Sequence, residues 1–108
     1  MSGTPTFPED TLRMHGEYKM PGGKLIVIDL ELRGGRLAQV RLSGDFFLEP
    51  DAALQAIDRA LDGQPADAGA AALAGAVRAA LPADTMMYGI SPEAVAEAVR
   101  RAVQAEAA

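Results

Sequence analysis

From Met14 to Phe47 the chain alternates apolar and polar side chains with a period of two, and glycine pairs punctuate the alternation. Only strands with one buried face read this way. In the run Lys24 to Arg33, Ile26, Ile28, Leu30 and Leu32 fall on one face, and Leu25, Val27, Asp29 and Glu31 on the other. Gly34-Gly35 then supplies the positive φ values of a tight hairpin turn. The return strand, Arg36 to Ser43, is expected to point Ala38, Val40 and Leu42 inward and Leu37, Gln39 and Arg41 outward. Upstream, Leu12, Met14, Tyr18 and Met20 alternate with Arg13, Glu17 and Lys19, which makes a first strand turning through Pro21-Gly22-Gly23. The expected product is an antiparallel meander with one apolar face and one wetter face.

An apolar sheet face needs a cover, and the remainder of the chain provides helices. Glu49-Pro50-Asp51 suits a helix start, with proline in the first turn and acidic groups at the positive end of the dipole. Leu54, Ile57 and Leu61 follow on one stripe, away from Asp58, Arg59 and Asp62, until Gly63-Gln64-Pro65 ends the run. Asp67 to Leu81 is alanine-rich, with Leu73, Val77 and Leu81 as a narrow apolar stripe among small residues. Its composition also fits low-complexity disorder; the leucine and valine spacing favours helix. Pro82 stops it. Asp84 to Ile90 reads as a connector anchored by Met86, Met87 and Ile90, with both methionines as core filler. Ser91-Pro92-Glu93 opens a last helix, Ser91 capping, whose Val95, Val99 and Val103 share a face while Glu97, Arg100 and Arg101 meet water. The tail from Gln104 to Ala108 is expected to fray. The fold class is therefore α+β: a three-stranded antiparallel sheet covered on one face by about three helices.

The chain has 108 residues and a formal net charge of −5. That length fits one domain, spanning 11–108, behind a flexible lead-in of residues 1–10. The negative charge argues against a nucleic-acid footprint, which carries a basic surplus. No apolar run reaches membrane-spanning length, and the N-terminus has neither the basic nor the apolar region of a signal peptide. A cytoplasmic location follows as the expectation. With no cysteine, disulfides, thiolate metal sites and cysteine catalysis are excluded for this sequence.

Few residues offer chemistry. The single histidine, His15, falls on the outer face of the first strand with no second ligand at a useful spacing, so it reads as a solvated surface group and no metal site is expected. Gly22-Gly23-Lys24 resembles a phosphate loop only in part: a Walker motif continues with Ser or Thr and a helix, whereas here Leu25 and a strand follow. Two readings stand for Lys24: a turn lysine in water, or a lysine that meets an anionic group on a partner. Ser43-Gly44-Asp45 lacks a general base at any recognisable spacing. Gly44 permits a sharp bend there, and Asp45 is suited to bonding nearby amides. Of Phe46 and Phe47, adjacent in an extended segment, one should plug the core and the other point away from it. No catalytic residue is assigned.

Taken together, GEYKMPGGKLIVIDLELRGGRLAQVRLSGDFFLEP resembles the C-terminal accessory domain of lipoate–protein ligases. The resemblance rests on Lys19, Pro21, Gly22, Gly23 and Lys24, then Gly34, the corner Ser43-Gly44-Asp45-Phe46-Phe47, and Gly89-Ile90-Ser91-Pro92-Glu93, and it covers roughly residues 12–104. It implies a small subunit of a split ligase, acting with a separate catalytic large subunit and indirectly with lipoyl acceptor domains. The family reaction activates lipoate with ATP to lipoyl-AMP, then transfers the lipoyl group to an acceptor lysine. ATP, magnesium and lipoate would sit in the large subunit, and none on this chain alone. The implied fold is a sandwich akin to iron–sulfur scaffold proteins, whose cysteine chemistry cannot carry over. The motifs leave the partner as a lipoate ligase proper or a related biotin or octanoyl enzyme. Lys19, Pro21, Gly22, Gly23 and Lys24 would form a rim near the partner's nucleotide, with the Ser43–Phe47 corner as the alternative contact. The competing reading is a non-enzymatic interaction module that kept the fold without the ligase role.

Overall fold

A computed structural model describes residues 11–21 and 24–107. The lead-in 1–10, Gly22, Gly23 and Ala108 lie outside the described residues. Three long strands come first: β1 (Thr11–Lys19), β2 (Leu25–Arg33) and β3 (Arg36–Gly44). They form one antiparallel sheet in the order β1-β2-β3. Then come β4 (Phe47–Glu49), α1 (Ala52–Leu61), α2 (Ala70–Ala80), β5 (Met86–Tyr88) and α3 (Pro92–Ala107). The α+β class and the three-stranded meander match expectation. Gly34 and Gly35 both take positive φ, 56° and 80°, as the hairpin requires.

The helices do not contribute equally. α3 lies on β1 and β2, and α1 lies on β3, while α2 packs on the two helices rather than on the sheet. The core runs between them, with Ile26, Ile28, Ile57, Leu61, Val77, Val95 and Val99 almost wholly buried. α3 comes closest to the sheet at Gly16, where a Cβ would stand 2.4 Å from the Ala102 backbone nitrogen. Ala98 and Ala102, both fully buried, line that seam. Ser91 caps α3 as expected, its Oγ accepting from the Ala94 N–H at 3.0 Å. The helix runs on through Ala107, so Gln104 and its neighbours continue it where fraying was expected.

Other expectations need correction. Leu37, expected outward, is 2% exposed. The cause is a bulge: Asp29 pairs with Arg41 and Glu31 with Ala38, so Gln39 and Val40 both stand opposite Leu30. Gln39 takes φ 51°. The extra residue reverses the in–out alternation, so Val40 and Leu42 face inward on one side of it and Leu37 on the other.

Asp58 and Asp62, placed by the sequence away from the apolar stripe of α1, have a structural task. β3 is an edge strand, and its Val40 and Leu42 N–H groups donate to Asp62 Oδ1 at 3.0 Å and Asp58 Oδ1 at 3.1 Å. These carboxylates close a free edge that would otherwise be open to another strand. The segment read as a connector contains β5, which pairs with β4 as a separate two-stranded ribbon. Among the described residues no helix is long and apolar enough to cross a membrane.

Candidate interaction surface

One end of the molecule gathers the motif residues. Lys19 closes β1 opposite Leu25, and the Met20 N–H reaches Lys24 O at 3.4 Å. Beside them Gly44 pairs with Ile26. At φ 145°, a Cβ on Gly44 would fall 2.1 Å from the Leu25 carbonyl oxygen, so the corner needs glycine. The Asp45 N–H then donates to that same oxygen at 3.0 Å, which latches the corner to the start of β2. The Ser43–Phe47 corner and the Lys19–Lys24 turn are therefore neighbours, though separate in sequence. Lys24 lays its stem across Gly89, which holds φ 74°. Lys19 is exposed on the open side of the sheet, opposite in parity to Tyr18, which packs against the core. The two lysines thus leave the turn towards different sides. Gly22 and Gly23, the middle of the expected rim, lie outside the described residues.

Past the corner, β4 and β5 sort their side chains by the same alternation. Leu48 is 9% exposed and Met87 packs against the core. The opposite side carries Phe47, Tyr88 and Met86 at 55%, 49% and 48% exposure. Phe47 and Tyr88 face each other across the ribbon with ring centroids 6.0 Å apart at a 41° tilt, a geometry that favours aromatic pairs. Phe46 is the phenylalanine that packs against the core and Phe47 the one that does not. Met86, expected as core filler, is exposed, because the three-residue pairing of β4 with β5 turns it to the same side as Glu49.

A groove of about 500 Å³ opens beside Phe47, with Leu42, Phe46, Leu48 and Leu54 in its lining. Further along, Glu49, Asp51 and Asp84 share a depression of about 490 Å³ with Met86. Tyr88, Met86 and Leu54 were not singled out from sequence as surface residues. The available signal was the alternation in Phe47-Leu48-Glu49 and Met86-Met87-Tyr88, which is too short to register as periodicity.

Among the described residues no group of histidine and carboxylate side chains is arranged to hold a metal. His15 is exposed on the open sheet face, with Nδ1 2.6 Å from Asp29 Oδ1 and Nε2 2.9 Å from Glu17 Oε2. Both ring nitrogens meet acceptors, an arrangement only the imidazolium satisfies fully. Its pKa is raised accordingly, first by the Glu17 hydrogen bond and then by that to Asp29. Arg101 is not simply solvated. Its guanidinium stands 4.8 Å from the Tyr18 ring centroid and bonds Glu97 at 3.0 Å.

No protein-family model matches the chain, and no curated protein matches it. Its fold is similar to that of a chain from a Thermoplasma acidophilum structure, described as an archaeal lipoylation system with a bi-partite lipoate protein ligase and its E2 lipoyl domain. The two superpose with a TM-score of 0.61 at 23% sequence identity, over 83% of this chain and 94% of the other.

Proposed function

We propose that this chain is the accessory subunit of a bipartite lipoate–protein ligase, a lipoylation component with no catalytic activity of its own. It supports the ATP-dependent activation of lipoate to lipoyl-AMP by a separate catalytic subunit, which holds ATP, magnesium and lipoate. The observation that carries this reading is a fold likeness, over 83% of this chain and 94% of the other, to a protein from a bipartite ligase system. The Lys19–Lys24 and Ser43–Phe47 motifs support it independently. Adenylation develops negative charge on the ATP phosphates, and lysines held in place stabilise such charge. Lys19 and Lys24, both exposed, are the groups proposed for that task.

Reconstitution tests the reading. The chain alone should form no lipoyl-AMP with ATP and lipoate, and adding it to the catalytic chain should raise the rate of lipoyl-AMP formation. Replacing Lys19 and Lys24 with alanine should lower that rate while sparing transfer from preformed lipoyl-AMP to a lipoyl domain. No effect of the wild-type chain on adenylation would favour an interaction module with no ligase role. Wild-type adenylation by the double variant would leave the lysines as turn residues and shift attention to the Ser43–Phe47 corner.

A further inference from the structure

The β4–β5 ribbon is finished on one side and unfinished on the other. Leu48 and Met87 complete the core, yet Phe47, Tyr88 and Met86 hold three of the four large apolar side chains left exposed among the described residues. Their pairing steadies the ribbon but leaves both rings half-exposed beside Met86, and clustered apolar area of this kind marks an interaction site. The groove beside Phe47, about 500 Å³ with Leu54 and Phe46 in its wall, adds a concavity able to receive an apolar side chain. The border is charged unevenly. Glu49, Asp51 and Asp84 stand at the Met86 side, and Lys24 crosses Gly89 next to Tyr88.

We infer that this face, Phe47, Tyr88 and Met86 with the adjoining groove, is the surface through which the chain docks on the catalytic subunit, an inference that rests on the ligase reading above. The complementary surface is an apolar patch bordered by lysine or arginine. Charge selects that occupant over a second copy of this chain. Three carboxylates against one lysine leave the border net negative, and the chain carries −5 overall, so self-association brings like charges together while a basic-rimmed partner does not. The open face of the main sheet is the rival surface. It offers only half-buried Leu25 and Val27 as large apolar groups, and its His15 and Arg33 are already ion-paired to Asp29, Glu17 and Glu31. Aromatic anchors beside a pocket are where binding energy concentrates.

The experiment is calorimetric titration of this chain into the purified catalytic chain, with amide hydrogen exchange on the mixture. Phe47→Ser with Tyr88→Ser should weaken binding at least about tenfold, the loss expected on removing a central aromatic pair. Glu49→Lys with Asp84→Lys should weaken it further at low salt than at high salt. Val27→Glu, on the open face, should weaken it far less than the Phe47/Tyr88 pair does. In the wild-type mixture β4 and β5 amides should gain protection, a readout independent of how the variants fold. Wild-type affinity in the Phe47/Tyr88 variant, a larger loss in Val27→Glu, or protection of the ribbon by a second copy or by an isolated lipoyl domain instead would overturn the docking surface alone. Failure of the wild-type chains to bind at all would overturn the ligase reading with it.

Discussion

The α3–β1 seam and the β4–β5 ribbon are both contacts between short stretches of chain, and they are built on opposite principles. At the seam, glycine and alanine bring a helix backbone almost onto a strand, and the small side chains that meet there are fully buried. At the ribbon, large side chains are arranged in pairs and then left half-exposed. Small residues at a contact gain from closeness and dispersion and leave no room for adjustment. Exposed aromatic and methionine side chains keep apolar area in water, and that area becomes useful only when something covers it. The first contact is complete within this chain. The second has the composition of an interface core.

The widest separation between the two regions should appear in stability. Gly16→Val drives a side chain into the α3 backbone, and helix backbone cannot give way as a flexible side chain would. The expected loss is at least about 3 kcal/mol in chemical unfolding, the upper part of the overpacking range. A loss under about 1 kcal/mol would mean that α3 can lift off the sheet at little cost, and the contrast with the ribbon would disappear. Ile28→Ala, in the core that both regions share, should cost about 2–5 kcal/mol, whereas Leu25→Ala on the open face should cost less. Equal losses would show that both faces of the sheet are covered in solution.

The ribbon supplies its own internal control. Leu48→Ala removes a buried side chain and should cost about 2 kcal/mol or more. Phe47→Ser, one residue away, should cost less, about 1 kcal/mol for the lost cross-strand ring pair, while affecting binding. Thermal unfolding of the two variants side by side measures this directly. A large loss from Phe47→Ser would recast the ring as core and remove the argument for a docking face.

A smaller effect concerns pH. Burial pushes the Asp58 carboxyl up to about 6, repulsion from Asp62 adds to it, and the Leu42 N–H and Arg41 oppose it. A carboxyl whose pKa is higher in the folded than in the unfolded chain binds protons more tightly when folded. Its contribution therefore falls as pH rises from about 4 to about 6 and is regained as pH is lowered. His15, with its raised pKa, acts in the same sense, contributing stability below its unfolded value near 6.5 that is lost as pH climbs through the folded value. Glu93 acts oppositely. Its lowered pKa, from the backbone N–H at the start of α3 and then Arg78, gives stability above 4.5 that is lost in acid. Melting temperatures should accordingly peak on the mildly acidic side of neutrality. Asp58→Asn keeps an acceptor for the Leu42 N–H and removes the charge, so its profile between pH 4 and 6 should be flatter than wild type. An unchanged profile would show that the Asp58 carboxylate is well hydrated.

The main sheet could be read directly because its strands are long enough for alternation to show. Ile26, Ile28 and Leu30 announce a buried face, Gly34-Gly35 a hairpin, and Ser91-Pro92-Glu93 a helix start. All three follow from backbone preferences and a period that local sequence carries within a few residues. The bulge at Gln39 was invisible because it changes pairing partners and not composition, and it alone decides that Leu37 is inside. Asp58 and Asp62 look like any solvated helix carboxylates until α1 is laid along the free edge of β3. Gly16 reads as a gap in an alternating strand, and only the arrival of Ala98 and Ala102, more than 80 positions later in the chain, makes it a requirement.

The motif residues divide in the same way. Lys19, Lys24 and the Ser43–Phe47 corner could be picked out by type and spacing, and Gly44 by its bend. That the turn and the corner are neighbours, that Lys24 lies over Gly89, and that Phe47 meets Tyr88 are decided by contacts between segments distant in sequence. Sequence by itself determined the three long strands and the three helices, because those preferences are local. Tertiary structure alone decided which apolar side chains would be left over, because exposure depends on whether a neighbour arrives.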